Sequence, residues 1–341
     1  MTSTAVTGVS HQHHSSDSGD ISRSILSIRE LSISFPKRYG PVQVLNHVEL
    51  DIDAGECVAV VGESGCGKSL LGLAAASLLP DTATVTGEIR FRDRDTLRMS
   101  KRKLRALRGA SIGVVYQDAL TSLNPGMSVG AQLRQVCRLG SNSTPEQLLV
   151  DVGLTDTSRV MRAKPYQLSG GQRQRVLIAI ALAREPDLII ADEPTTALDV
   201  TVQAQVVALL RELQQQRNFA LLFISHDLAL VSTLAHRTTV MYAGQVVESG
   251  LTRDVLTSPR HPYTAGLLAA SVSLEEGHDT LHSIPGHVKP PTEFATGCRF
   301  RDRCDRAQQD CTQRPPLEVD ATRRFACFHP IDQHPAGEVI A

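Results

Sequence analysis

The sequence predicts an α/β fold: a mostly parallel sheet covered by helices, with a helical subdomain and a Cys-rich, loop-rich C-terminal extension. Three observations predict it. Short apolar runs at 57–61, 187–191 and 220–224 read as strands buried on both faces, and helical patterns separate them. The first run ends in a glycine-rich stretch that opens a helix. Beyond about residue 250 proline becomes frequent, and four of the seven cysteines gather there.

Residues 1–23 are polar and rich in Ser, Thr and His. They hold too little apolar surface to offset ordering, so a disordered tail is expected, with His11, His13 and His14 solvated rather than metal-bound. Alternating apolar residues over 25–35 and 42–52 predict two strands. After the buried run 57–61, residues 69–79 read as an Ala- and Leu-rich helix stopped by Pro80. A mostly helical subdomain is expected over about 100–183, then a strand at 187–191, a helix at 202–216 and a strand at 220–224. The chain is thus divided into a domain over 24–262, an extension with little regular structure over 263–330, and a tail over 331–341.

With 341 residues and 41% hydrophobic content there is material for a sizeable core. Lys and Arg total 35 against 36 Asp and Glu, so no global field draws the chain to nucleic acid or an anionic bilayer. No apolar run reaches the roughly 18–20 residues of a membrane-spanning helix. A basic start followed by an apolar secretory stretch is also lacking. The expected location is the cytoplasm, with any membrane contact made by docking on other subunits.

Gly62-Glu63-Ser64-Gly65-Cys66-Gly67-Lys68-Ser69 fits G-x-x-x-x-G-K-[ST] between a strand and a helix. Glycines allow the backbone N–H groups to wrap phosphate oxygens, and the following helix adds its positive end. Lys68 is assigned to the outer phosphates and the Ser69 hydroxyl to Mg²⁺. Cys66 reads as a small turn-filling residue, with alkylation that blocks ATP expected as a side effect. The pattern occurs once, so the chain carries one nucleotide-binding unit.

Asp192 and Glu193 end the buried run at 187–191. Asp192 is assigned to Mg²⁺ and Glu193 to polarising the attacking water. Successive strand residues point opposite ways, which suits two acids to different tasks.

Leu168-Ser169-Gly170-Gly171-Gln172 carries a resemblance: the span from about 25 to 262 resembles an ABC transporter ATPase, a P-loop NTPase with an ABC-type nucleotide-binding domain. The resemblance implies further roles. Tyr39 corresponds to the aromatic that stacks on adenine. Gln117 corresponds to the Q-loop glutamine that senses Mg²⁺ and water and links to the membrane subunits. Residues 196–199, ending in Asp199, correspond to the D-loop, and His226 to the switch histidine at the terminal phosphate. Ser169, Gly170, Gly171 and Gln172 would meet the ATP held by a second subunit, which closes head to tail over two ATP molecules.

Thr121-Ser122-Leu123-Asn124-Pro125, His261-Pro262-Tyr263 and Gly297-Cys298-Arg299-Phe300 resemble the oligopeptide/dipeptide/nickel importer ATPases. That branch implies an identical or paralogous second ATPase, two permeases and an extracytoplasmic solute-binding protein, at the cytoplasmic face of the cell membrane. Peptides or similar small solutes are the implied cargo. The alternative is a soluble ABC ATPase acting on nucleic acid or ribosomes, which the balanced charge and single unit disfavour. Cys298, Cys304, Cys311 and Cys327 follow a C-x5-C, C-x6-C, C-x15-C spacing. Zinc ribbons use shorter pairs. Four thiolates in a loop-rich segment suit a 4Fe-4S cluster, with zinc and unligated thiols left open. Arg299, Arg301, Arg303 and Arg306 could offset thiolate charge, lie solvated or touch a partner.

Overall fold

The computed structural model describes residues 24–196, 198–276, 284–320 and 322–331. The expected tail at 1–23 with its three histidines, D-loop residue Ala197 and residues 332–341 lie outside the described residues.

The first strands are β1 (Ser24–Ser34), β2 (Gln43–Asp53), β3 (Cys57–Val61), β4 (Thr84–Phe91), β5 (Arg94–Asp95) and β6 (Ile112–Val115). They are followed by β7 (Leu188–Asp192), β8 (Ala220–Ser225), β9 (Arg237–Tyr242), β10 (Gln245–Leu251), β11 (Glu318–Asp320) and β12 (Arg323–Phe325). An antiparallel sheet has the order β2-β1-β4-β5, and a second has the order β11-β12-β10-β9-β3-β8-β7-β6. Pairing is parallel from β9 through β3, β8 and β7 to β6.

The small sheet shows how local irregularity preserves a buried face. Leu26 and Ile28 are buried, then Leu31 and Ile33, so the alternation slips by one residue between the pairs. Glu30 absorbs the slip with a φ of 49° at a register shift in the β1–β2 pairing. The bulge returns Leu31 and Ile33 to the core side, where each buried side chain contributes about 1.5–3 kcal/mol. This face packs on the helix Lys68–Ala75 and one side of the central sheet. The other side of that sheet packs on Gly170–Leu182, Val200–Arg217 and residues of the extension.

Three expectations need correction. The helix after the glycine loop stops at Ala75 and not at 79. Ser77 turns left-handed (φ 54°) and Leu78 N–H closes onto Leu73 O at 2.7 Å, which caps the end. The 100–183 subdomain contains β6, a four-residue edge of the central sheet too short to register beside strong helical patterns. The extension has more regular structure than its prolines suggested. Pro262 opens a 15-residue helix, Pro262–Glu276, at a position where its missing N–H costs nothing. β12 pairs with β10, and β11 with β12, so the extension continues the central sheet. Among the described residues no helix is long and apolar enough to cross a membrane.

Candidate functional site

The parallel strands converge on one end of the central sheet. β3 runs into the loop 62–67 and then the helix Lys68–Ala75. Gly62 has a φ of 151°, and a Cβ there would stand 2.2 Å from Met241 O. Gly67 has a φ of 104°, and its Cβ would meet Leu45 at 2.7 Å. Only glycine fits both positions. Lys68 is buried, and its Nζ donates to Gly62 O at 2.7 Å and Glu63 O at 3.1 Å. Cys66 is buried, and burial pushes its thiol pKa up. It fills the turn, and its burial and raised pKa oppose the alkylation expected from sequence as a side effect.

Asp192 ends β7, and its Oδ1 accepts a hydrogen bond from Ser69 Oγ at 3.0 Å. Burial raises the Asp192 pKa, the Ser69 bond opposes the rise, and the neighbouring Glu193 charge adds to it. A carboxylate and a hydroxyl held together at a phosphate loop are hard oxygen donors suited to Mg²⁺. Glu193 does not obey the strand alternation that would turn it away from Asp192. Its φ is 45°, its N–H is tied to Ile224 O at 2.9 Å, and its carboxylate turns to Lys68, next to the serine that Asp192 binds.

Four side chains meet that carboxylate. Lys68 Nζ lies 3.9 Å from Oε1, Gln117 Nε2 donates to Oε2 at 3.1 Å, and His226 Nδ1 lies 3.5 Å from Oε2. Thr196 Oγ1 also donates to Oε2, at 2.9 Å. Sequence reasoning placed Thr196 only within the D-loop; its three-residue spacing from Glu193 across a turn was the available signal. Ser64, Gly65, Gly67, Lys68, Ser69, Gln117, Glu193 and His226 line one open cleft of about 520 Å³.

Other assigned residues stand outside the lining of this cleft. Ser169 caps the helix Gly170–Leu182: its Oγ accepts Gln172 N–H, and Gln172 Oε1 accepts Ser169 N–H, each at 3.2 Å. Gly170 and Gly171 are close-packed, since a Cβ on them would meet Leu198 at 2.9 Å and Val202 at 2.7 Å. Asp199 caps Val200–Arg217 by accepting Val202 N–H at 2.9 Å. Tyr39 ends a four-residue helix, with the Arg38 guanidinium 5.0 Å above its ring. The cleft therefore gathers groups for phosphate, cation and water, while the capped N-terminus of the signature helix stands outside its lining.

The C-terminal cysteines do come together: Cys298, Cys304, Cys311 and Cys327 line one small cavity with His261 and His329. Cys298 N–H donates to Cys311 O at 3.1 Å. Burial pushes the Cys298 and Cys327 thiols up to about 11 and raises Cys304 as well. Burial also lowers the His261 pKa to about 3. Its Nδ1 accepts Tyr263 N–H at 3.1 Å, while its buried Nε2 has no partner among the described residues. The four thiols are soft donors on one cavity, whereas the neutral His261 ring, accepting at Nδ1, carries its proton on Nε2 and is a hydrogen-bond donor there rather than a ligand. A separate group of three potential ligands, Asp310, Cys311 and His329, has its donor atoms within 4.8 Å of one another.

Comparison with known proteins adds independent findings. The family described as "ABC transporter" matches residues 45–196, and "Oligopeptide/dipeptide transporter, C-terminal region" matches residues 247–311. The chain is 44% identical to the probable D,D-dipeptide transport ATP-binding protein DdpD of Escherichia coli strain K12, over 90% of this chain and 97% of that one. It is 42% identical to the dipeptide transport ATP-binding protein DppD of the same strain, with the same coverage. Its fold matches a dimeric ATP-binding cassette, MJ0796, in a post-hydrolysis state bound to ADP and Pi, with TM-score 0.59 and 27% identity. That match covers 67% of this chain and 99% of the other.

Proposed function

This chain belongs to the ABC transporter ATPases, in the oligopeptide/dipeptide branch, and we propose that its ATP hydrolysis powers peptide import through two permeases. The convergence of Lys68, Gln117 and His226 on Glu193, beside the Ser69–Asp192 pair, carries the ATP-hydrolysis reading, and the likeness to dipeptide transport ATP-binding proteins supports the peptide cargo.

In the proposed mechanism the loop 62–67 and Lys68 take the β- and γ-phosphates, and Ser69 and Asp192 hold Mg²⁺ with Gln117 nearby. Glu193 accepts a proton as water attacks the γ-phosphorus. The bond to the β–γ bridging oxygen breaks, and ADP and phosphate leave. Gln117 and Thr196 fix the Glu193 carboxylate, and His226 stands where the γ-phosphate charge develops. The signature, Ser169 to Gln172, lies outside this cleft, so we assign it to the ATP of a second subunit, with Asp199 at the junction. The dimeric state of the structurally related MJ0796 cassette supports that arrangement. We assign Tyr39 to the adenine. We assign residues 24–262 to the nucleotide-binding domain and 263–330 to the extension. The chain would dock on permeases at the cytoplasmic membrane face, with an extracytoplasmic binding protein supplying solute.

Cys298, Cys304, Cys311 and Cys327 are proposed to hold an iron–sulfur cluster, which would supply a redox-responsive or structural centre. Their common cavity supports this. Iron and acid-labile sulfide in anaerobically purified protein, lost in Cys327→Ser, are the expected result; an iron-free preparation contradicts it.

Uptake of labelled di- and oligopeptides by cells carrying Lys68→Ala tests the main reading. Uptake is expected to fall to the level of a strain lacking the chain. Unchanged uptake of every peptide excludes the peptide-import role.

A further inference from the structure

The extension reaches the phosphate loop at Glu63, and it does so twice. Arg303 donates from Nη1 to Glu63 Oε2 at 2.8 Å and from Nη2 to Oε1 at 3.1 Å, a two-pronged pair. The Tyr263 hydroxyl accepts the Glu63 backbone N–H at 2.8 Å. The Glu63 carbonyl, in turn, accepts from Lys68 Nζ. Carboxylate and N–H are thus held by the extension, while the carbonyl steadies the phosphate-binding lysine.

Both supports are rigid. The Arg303 side chain is only 8% exposed, and its Nε donates to Pro285 O at 2.6 Å. Its Nη2 also reaches Ile284 O and Gly286 O, each at 3.3 Å. Tyr263 is fully buried and packs edge-on to Tyr242 with centroids 4.7 Å apart. Neither residue is among those lining the cleft; both act on the loop from its outer side, through Glu63.

The chemistry of Glu63 explains why the clamp matters. The loop is built to surround a polyanion, yet its second residue carries a carboxylate. Without a cation that carboxylate would repel phosphate and leave the loop unfastened. We propose that Arg303 and Tyr263 are positioning residues of the phosphate loop, with Arg303 neutralising Glu63 so that ATP affinity depends on the extension. The inference rests on the reading of residues 62–69 as a nucleotide loop.

Equilibrium binding of a fluorescent ATP analogue to the purified full chain, with KM and kcat for ATP, tests it. Arg303→Ala is expected to weaken binding and raise KM about tenfold while kcat stays within about twofold. Adding Glu63→Gln to Arg303→Ala removes the unpaired charge and is expected to recover most of the lost affinity. Mere loss of packing would not be recovered in this way. Arg303→Lys keeps the charge without the fork, so its loss is smaller, and it carries the comparison if the alanine variant does not fold. Tyr263→Phe is expected to raise KM about threefold. Wild-type affinity in Arg303→Ala, or a double variant no tighter than Arg303→Ala, overturns the proposal. Failure of the underlying nucleotide reading looks different: the unaltered chain binds no ATP, or Lys68→Ala binds it equally well.

Discussion

Gln117 Nε2 donates to Glu193 Oε2 across 3.1 Å, joining residues 76 positions apart in the chain. The sheet explains the meeting. β6 and β7 pair in parallel with Val115 opposite Ala191, so residues just past their ends emerge at the same edge. His226 follows β8, which pairs with β7, and the phosphate loop follows β3, which pairs with β8. Four adjacent parallel strands deliver the site from their carboxyl ends, where open α/β sheets bind ligands.

Glu193 is assigned as the base. Glu193→Gln retains the side-chain shape and loses the proton acceptor. Its kcat is expected to fall about 10²- to 10⁴-fold with ATP binding preserved. A single-turnover ATPase assay beside a binding isotherm checks this, and near-normal turnover would assign the proton to another group.

Ser69 and Asp192 are expected to act as a pair. Ser69→Ala and Asp192→Asn should each raise the Mg²⁺ concentration needed for half-maximal ATPase. The double variant should be little worse than the weaker single, because contacting residues are not additive. Independent, multiplying effects would separate the two roles.

Glu248 gives a pH prediction away from the site. It is fully buried, and its two oxygens accept Arg260 N–H and His261 N–H, each at 2.9 Å. Burial raises its pKa above 4.5. A raised folded pKa means the contribution is fully present below the unfolded value and lost as pH rises through the folded one. Glu248→Gln is therefore expected to flatten the stability profile above about pH 4.5. Its single amide oxygen can accept only one of the two N–H groups, so it also loses about 1–3 kcal/mol at every pH. Glu248→Ala leaves two buried N–H groups unpaired, at a cost of about 1–3 kcal/mol each. Urea melts across pH check both, and a Gln variant with the unaltered slope contradicts the assignment.

Cys66 is expected to resist alkylation. With the thiol buried and its pKa raised, iodoacetamide at neutral pH should leave it unmodified in folded protein, with ATPase intact. Mass mapping that finds rapid modification of Cys66 would mean that the loop opens readily.

Much of this was legible in the residues. The three apolar runs became β3, β7 and β8, because strands buried on both faces leave an unbroken apolar mark. The loop at 62–69 and the acids at 192–193 were readable because their chemistry is local. Two kinds of feature were hidden. Glu193 leaves the strand alternation through a positive φ that no side-chain pattern announces. The Arg303–Glu63 contact joins residues 240 positions apart, and Arg303 read as one of several basic residues near cysteines. The helix Pro262–Glu276 was masked by its proline-rich surroundings, although proline suits a first turn.

The central claim, an ATPase that drives a peptide importer, is tested most directly by recovering tagged Glu193→Gln chain with ATP from detergent-solubilised membranes and identifying what comes with it. Two permeases and an extracytoplasmic peptide-binding protein are the predicted partners. Ribosomal or DNA-associated proteins with no membrane partner would contradict the transport claim and leave only the nucleotide chemistry.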